Sequence, residues 1–501
     1  MVNARSPVVV GVGQVSQHVS ADAARSPIDL LTDAARLADA DTKAARSLLD
    51  QMGVVAISAI GSWRYADPGA LLARQLAITS KATAVSTVGG NSPQLLVNEM
   101  AERIQRNELD VALIGGAESM HTRWRARREP RVELTWETGD DPPCEWVIGD
   151  GRAGANEYEA AHFAVAPTMV YPLFETALRH AAGRSIDEHQ LHVSELWARF
   201  SAIAADNPNA WSRTAYSAEE IRSVSPDNRM VCFPYSKRMC ANIDVDQAAA
   251  LLLCSFETAQ AAGVPDDRMV FLHAAAETHD HHFFSERWTL TDSPGIEVAV
   301  GDALTAAGIT LGDVARFDLY SCFPSAVQVA MRALELRTDD PRPLTVTGGL
   351  GFAGGPVNNY PAHAIARMVE VLRDDPQSFG CTTALGWYIS KHATGIWSAS
   401  PPEHGFRRAD ASASQAQVDA RPRREAAGMV DGPATLEATA VTFERDGTPS
   451  LGIVTALTAD GRRALANTRD PDALTAFTTE AQEGNTVRIT NDAASNTVHL
   501  A

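Results

Sequence analysis

Apolar positions recur along this chain at two periods, and each change of period marks an element. Leu96, Val97, Met100 and Ile104 share one helical face, with Glu102, Arg103 and Arg106 on the wetter side. The turn before them, Thr87-Val-Gly-Gly-Asn-Ser-Pro93, offers Ser92 as an N-cap and Pro93 for the first helical position. Pro7–Gly13 and Asp110–Gly116 read as apolar strands, and Asp246–Cys254 as a buried strand entered from a turn. Residues 300–308 read as helix and Phe317–Phe323 as strand. The Gly-rich loop Gly348–Pro356 then leads into a helix with Ile365, Met368, Val369 and Leu372 on one face. Alternating helices and apolar strands predict an α/β layered sheet fold.

The early and late parts are built alike, since Gly90-Asn-Ser-Pro93 matches Gly355-Pro-Val-Asn-Asn-Tyr-Pro361 as a Gly-rich turn opening an amphipathic helix. Residues 119–236 are richer in Trp, Arg, Pro and charge and read as an inserted, mostly helical region. Residues 401–432 have linker composition. Beyond them Ala434–Glu444, Gly452–Leu457, Thr486–Thr490 and Asn496–Leu500 alternate at strand period. They predict a small all-β, OB-like domain over 433–501. Leu436, Val441, Ile453, Val487 and Val498 are expected to face inward, with Leu451 and Leu457 turned to the rest of the molecule.

A chain of 501 residues implies several domains. Its 43 basic and 62 acidic residues give a net charge of −19, which excludes a general nucleic-acid or anionic-membrane binder. The local run Arg123, Arg125, Arg127 and Arg128 remains a candidate for a small polyanion such as a nucleotide phosphate. The six cysteines lack metal-ligand spacing and read as reduced, buried thiols. His279-Asp-His-His282 carries metal-ligand chemistry, but adjacent side chains rarely converge on one ion, so it reads as a polar loop and no metal is expected. With no leader pattern and no long apolar run, a cytoplasmic location is expected.

At Gly115-Gly-Ala-Glu-Ser-Met120 the helix, strand and turn together resemble the thiolase superfamily. The likeness continues through Asp246-Gln-Ala-Ala-Ala250, Tyr320-Ser-Cys-Phe323 and Gly348–Pro356, and covers residues 7–398. It implies a duplicated, five-layered αβαβα core. The first half would be 1–118 with 237–262, the second 263–400, and 119–236 the loop domain that holds coenzyme A. In the family's register the nucleophilic cysteine falls at Gly90, the activating histidine at Gly355, the oxyanion-hole residue at Tyr320 and the acid/base cysteine at Ala384. Cys322 alone stands where sterol-carrier-type thiolases keep a second catalytic cysteine. Ser92 is a cap, with no base to make it a substitute nucleophile.

The same register puts Tyr171 over the acyl pocket, Asn242 at a pantetheine contact and His392 near the cleft. The expectation is a thiolase-like protein of acyl-CoA and lipid metabolism. It would bind coenzyme A or an acyl-CoA without conventional thiolase activity, as a binder or the subunit of a catalytic partner. The alternative is an acyltransferase with rebuilt chemistry on Cys322 and Tyr320. Nucleic-acid binding through the β domain is disfavoured, because that domain has chiefly Phe443 and Phe477 and no interleaved basic residues. Thiolases pair through the strand before the nucleophile. Here Thr83–Val88 alternates polar and apolar, which leaves monomer or homodimer open.

Overall fold

A computed structural model describes residues 2–129, 132–492 and 494–500. The first half runs β1 (Pro7–Ser16), α1 (Pro27–Asp41), β2 (Val54–Ile57), α2 (Pro68–Leu76), β3 (Ala82–Ser86), α3 (Ser92–Gln105) and β4 (Val111–Ser119). An insertion follows: α4 (Met120–Arg128), β5 (Val147–Ile148), α5 (Glu157–Ala161), α6 (Pro167–Ala181), α7 (Ile186–Asp206), α8 (Ala218–Arg222), β6 (Met230–Phe233) and β7 (Tyr235–Ser236). The chain then returns as β8 (Asp246–Ser255), capped by α9 (Phe256–Ala262). The second half is β9 (Val270–His279), α10 (Pro294–Ala307), β10 (Val314–Asp318), α11 (Pro324–Ala333), α12 (Tyr360–Asp374), β11 (Phe379–Gly386) and β12 (Lys391–Ser398).

Strand pairing makes the duplication explicit. β1–β8 and β8–β4 are antiparallel, while β4–β2 and β2–β3 are parallel. β9–β12 and β12–β11 are antiparallel and β11–β10 parallel, the same pattern in the same order. Short pairing of β1 with β9, Val8 opposite Phe271 and Val9 opposite Val270, joins the two into one sheet. α3 and α12 lie between the half-sheets and bury Met100, Ile104, Met368 and Val369 together. α1 and α2 cover the outer face of the first half, α10 and α11 that of the second. The fold is the duplicated αβαβα arrangement of the thiolases.

Three local readings need correction. Ser92 does not cap α3. Asn91 holds the N-cap position, and the Ser92 hydroxyl donates instead to the Thr87 carbonyl at 2.8 Å. The strand expected over Phe317–Phe323 stops at Asp318, because the next residues leave the sheet to form the site described below. The stretch 401–432 is ordered: β13 (Arg407–Arg408) pairs with β9, and α13 (Ala411–Asp419), capped by Asp410, packs beside it.

The C-terminal unit is a closed five-stranded barrel of β14 (Gly432–Phe443), β15 (Pro449–Leu457), β16 (Arg463–Thr468), β17 (Thr486–Asn491) and β18 (Asn496–Leu500), with α14 (Pro471–Thr479) between β16 and β17. Its strand order and the parallel β16–β18 contact are those of an OB fold. β16 and α14 escaped the sequence reading, since Arg463-Ala-Leu-Ala-Asn-Thr468 has no clean alternation. Leu436, Val441, Ile453, Val487 and Val498 are all buried as expected, Leu451 joins the second-half core, and Leu457 stays half-buried. The barrel is docked rather than tethered. β14 pairs with β6 of the insertion, and the buried Arg179 of α6 meets Glu483. The fully buried Arg463 binds both carboxylate oxygens of Glu437 at 2.6 and 2.7 Å and donates to the carbonyls of Phe284, Ser285 and Arg287.

Candidate active site

The turn entering α3 sits between the halves. Its Gly89 N–H donates to Asn358 Oδ1 at 2.9 Å, which ties it to the equivalent turn before α12. A Cβ on Gly90 would collide with the Tyr320 hydroxyl and stand 2.5 Å from the Leu385 carbonyl oxygen. Glycine is therefore demanded by close approach, and the volume of a nucleophilic side chain is taken by a phenol. Gly355 differs: a Cβ there would meet only ordinary contacts, the nearest 3.4 Å away. Ala384 lies on β11 opposite Ala393 of β12.

Tyr320 and Cys322 follow β10 on a short loop into α11, and both are buried. Burial pushes the Cys322 thiol up to about 12. It is a neutral thiol at physiological pH. Tyr171 is itself fully enclosed, donating to the Trp387 carbonyl at 2.8 Å and stacked on Phe323. Burial also drives the Tyr320 phenol well above its ordinary value, so it is a hydrogen-bond donor and not a phenolate.

Beside Tyr320 is a cavity of about 10 Å³ lined by Ala384, Thr383, Ala299, Ala326 and His392 among others. That is room for one water or one methyl group. His392, on β12, is buried and places Nε2 at 2.8 Å from Asp280 Oδ2. Asp280 also accepts from the Gly295 N–H at 3.0 Å, in the first turn of α10, and from the Ser293 hydroxyl. Burial opposes its charge, but these donors and the His392 ring hold it below the usual carboxylate range. Gly295 has no Cβ because the His392 ring fills that space, 2.6 Å from where one would sit. Asp280 was legible only as part of a polar loop, since its partner lies 112 residues away.

The loop between β11 and β12 is strained. Trp387 and Ile389 take φ of 57° and 58°, and Val357, just after Gly355, takes 45°. Bulky and β-branched residues adopt such angles only where surroundings impose them, and such positions cluster at functional sites. Lys391 is buried at the same place, its ammonium donating to the carbonyls of Val88 at 2.9 Å and Asp150 at 2.8 Å. Burial lowers its pKa. Asn91 Oδ1 and Trp387 Nε1 are buried there with no hydrogen-bond partner among the described residues.

The other candidates are dispersed. Arg123 and Arg125, on α4, spend donors on the carbonyls of Gly61 and Val19, while Arg127 and Arg128 are exposed. Asn242 is half-buried and its Oδ1 accepts from the Asp244 N–H at 3.2 Å. The histidines of 279–282 diverge: His281 faces the Arg421 carbonyl, His282 that of Ala153, and His279 approaches Asp150 at 3.4 Å. Among the described residues no cluster of His, Cys, Asp and Glu could hold a metal, and no helix is long and apolar enough to cross a membrane. Glu118 of β4, read in the sequence only as part of the Gly115–Met120 turn, is buried. Burial pushes its carboxyl up to about 7 although the Gly61 and Ser62 N–H groups each bond it at 2.7 Å.

Comparison with known proteins fixes the relationship. No curated protein matches the sequence. The family model of the thiolase-like protein type 1 additional C-terminal domain matches residues 414–494. A monomeric SCP2-thiolase-like protein type 1 from Mycobacterium smegmatis is 34% identical, with each chain covered over 100% of its length and a TM-score of 0.86. This chain belongs to that family. Two more distant structures share the fold with the type 1 thiolase-like proteins. The Ltp2-ChsH2(DUF35) aldolase is 17% identical over 79% of this chain and 99% of that one, at a TM-score of 0.57. The dimeric peroxisomal thiolase of Saccharomyces cerevisiae is 14% identical over 79% of this chain and 98% of that one, at 0.55.

Proposed function

We propose that this type 1 thiolase-like chain binds coenzyme A or an acyl-CoA and does not carry out thiolase chemistry. The observation that carries the reading is the Tyr320 hydroxyl pressed against Gly90. Covalent acyl transfer needs an attacking sulfur at that turn and a base beside it. Cys322 is no substitute while it stays a neutral thiol without a base. What supports a ligand is the polar capacity left at the turn: Asn91 Oδ1 and Trp387 Nε1 are unsatisfied, and the loops around them are strained. For the phosphates, Arg127 and Arg128 are the exposed members of the α4 cluster, with Arg123 and Arg125 behind them, so binding weakens with salt. Asn242, Tyr171 and His392 would border the pantetheine and acyl ends.

The protein acts as a monomer on this reading. β3, the strand through which thiolases pair, has its free edge covered by β5 of its own insertion, Val85 opposite Val147 and Ser86 opposite Ile148. Any catalytic partner would therefore dock elsewhere. The test is calorimetric titration with coenzyme A and acetyl-CoA beside an acetoacetyl-CoA thiolysis assay. Binding without turnover is expected. No heat and no thermal shift with any CoA ester overturns the binding reading, and robust thiolysis lost in Cys322→Ala replaces it with the rebuilt acyltransferase.

A further inference from the structure

Between Ile148, which ends β5, and Asn156, which caps α5, runs a Gly-rich strap, Gly149-Asp-Gly-Arg-Ala-Gly-Ala155. Gly149, Gly151, Arg152 and Ala153 are exposed, and no backbone–backbone hydrogen bond holds the stretch among the described residues. Side chains hold it instead. Lys391 Nζ donates to the Asp150 carbonyl at 2.8 Å, and His282 Nε2 to that of Ala153 at 2.8 Å. Gly154 packs on Trp387, where a Cβ would stand 2.4 Å from the ring. A segment pinned by so few bonds opens at low cost.

The groups it pins down are short of partners. Lys391 is buried, whereas Lys43, Lys81 and Lys237, the other lysines of the chain, are exposed. Its ammonium makes no ion pair among the described residues, only bonds to the Val88 and Asp150 carbonyls. Nζ stands 3.3 Å from where a Gly89 Cβ would be, and Asn91 Oδ1 2.5 Å from the same point. Trp387 Nε1 and His282 Nδ1 are buried without hydrogen-bond partners among the described residues. A buried cation calls for an anion. The carboxylate that acts on Lys391 belongs to Asp150, in the strap itself, and it is spent on Arg152 at 2.6 Å and His279 at 3.4 Å.

We propose that residues 149–155 are a lid, and that a free carboxylate on the ligand's acyl group takes the place Asp150 holds beside Lys391 when the lid lifts. This rests on the reading of the α3 turn as an acyl-CoA site. It adds the way in and the class of acyl group, one that ends in a carboxylate. Lifting the strap frees one donor direction of Nζ, while the Val88 carbonyl keeps the ammonium in place. Trp387, whose ring centre is 6.0 Å from Nζ, offers Nε1 as a second donor. The closed strap is then autoinhibitory, with Asp150 as the placeholder.

The experiment reads Lys391 by its reactivity. The full chain receives a brief pulse of acetic anhydride, and acetylation of each lysine is followed by mass spectrometry. A Cβ at Gly151 would stand 3.9 Å from the Thr87 methyl carbon, within disulfide reach. Thr87→Cys with Gly151→Cys therefore makes a lock that reduction releases, its pairing checked by peptide mapping. Oxidation should slow Lys391 acetylation by about tenfold or more, and reduction should restore it. Lys43, Lys81 and Lys237 should not change. Gly154→Ala, which pushes the strap off Trp387, should speed Lys391 acetylation by about tenfold, and it carries the test if the lock does not close. One rate in the oxidised, reduced and Gly154→Ala proteins overturns the lid. Malonyl-CoA should protect Lys391 at concentrations where acetyl-CoA does not, and free malonate is the third probe. Equal protection by the two thioesters, or none from any of the three, overturns the carboxylate assignment. Protection by malonate and by neither thioester keeps the lid and its carboxylate site, and removes the coenzyme A reading.

Discussion

α3 and α12 hold equivalent places in the two halves, and each opens on Asn-x-Pro: Asn91-Ser92-Pro93 and Asn359-Tyr360-Pro361. Both asparagines take the N-cap position in right-handed backbone, and neither side chain caps its helix. From there the two turns diverge. Asn359 is bonded at both ends of its amide, donating from Nδ2 to the Gly116 carbonyl at 2.6 Å and accepting from the Ser58 hydroxyl at 3.1 Å. Asn91 leaves Oδ1 buried and unpaired, with Tyr320 against the neighbouring Gly90 and the Lys391 ammonium close to Gly89. Duplication thus produced one turn that locks the halves together and one that keeps unsatisfied chemistry. A buried polar atom without a partner costs stability; the α12 side carries one of its own at His363 Nε2, so the contrast rests on the two asparagines, and under the binding proposal Asn91 Oδ1 is the atom a ligand would complete.

The largest contrast lies one turn into the helices, where α3 has Leu95 and α12 has His363. His363 is bonded to Gln14 at 2.8 Å, and burial lowers its pKa to about 3. The folded protein keeps the ring neutral, while the unfolded chain takes up a proton below about 6.5. Stability from this residue is fully present above pH 6.5 and is lost as pH falls toward 3. The slope approaches about 1.4 kcal/mol per pH unit, roughly 5 kcal/mol over the window. His363→Gln, neutral throughout and able to bond Gln14, should flatten that part of the pH profile of the denaturation midpoint. An unchanged profile would mean that the ring charges without unfolding.

Next comes the lock itself. Asn359→Ala strands the Gly116 carbonyl and the Ser58 hydroxyl in the core, at about 1–3 kcal/mol for each buried unpaired group. A loss of about 3 kcal/mol in urea unfolding is expected. A loss below about 1 kcal/mol would put the junction of the halves elsewhere, in the β1–β9 pairing.

Gly90→Cys sharpens the comparison from the other side. The new side chain must displace the Tyr320 hydroxyl, and overpacking of this kind costs about 1–3 kcal/mol. Tyr320→Ala in the same chain should recover most of that loss, a coupling of about 1–2 kcal/mol in a double-mutant cycle. Neither variant should gain acetoacetyl-CoA thiolysis, because Gly355 still supplies no histidine. Additive losses would show that the two residues do not compete for one space.

The layered α/β architecture, the insertion and the barrel were legible because each rests on local signals: period, turn glycines and short apolar runs. Gly90, Gly355 and Ala384 were legible only through resemblance, as missing side chains. What took the vacant volume was not. The contact of Tyr320 with Gly90 joins residues far apart in the chain, and no spacing announces it. The His392–Asp280 pair was hidden for the same reason, its aspartate lying inside a histidine run that invited a metal reading. The order of 401–432 was missed because its Ala, Ser and Arg composition describes an exposed helix as well as a linker.

The smallest effect is expected at Asn91, and it is the most discriminating. Asn91→Ala removes no observed side-chain cap, since the side chain makes none, and it deletes a buried oxygen with no protein partner. The ligand-free protein should change by no more than about 0.5 kcal/mol, in either direction. If Oδ1 instead accepts a hydrogen bond from a bound thioester, the loss appears in affinity, and a hydrogen bond contributes about 0.5–1.5 kcal/mol. That predicts acetyl-CoA binding weakened by roughly threefold to tenfold while the denaturation midpoint stays in place. The same substitution at Asn359 should do the reverse, lowering the midpoint and moving affinity little for the molecules that remain folded. Should Asn91→Ala destabilise the free protein as much as Asn359→Ala, the two turns would be equivalent locks and the α3 turn would lose its claim to a ligand.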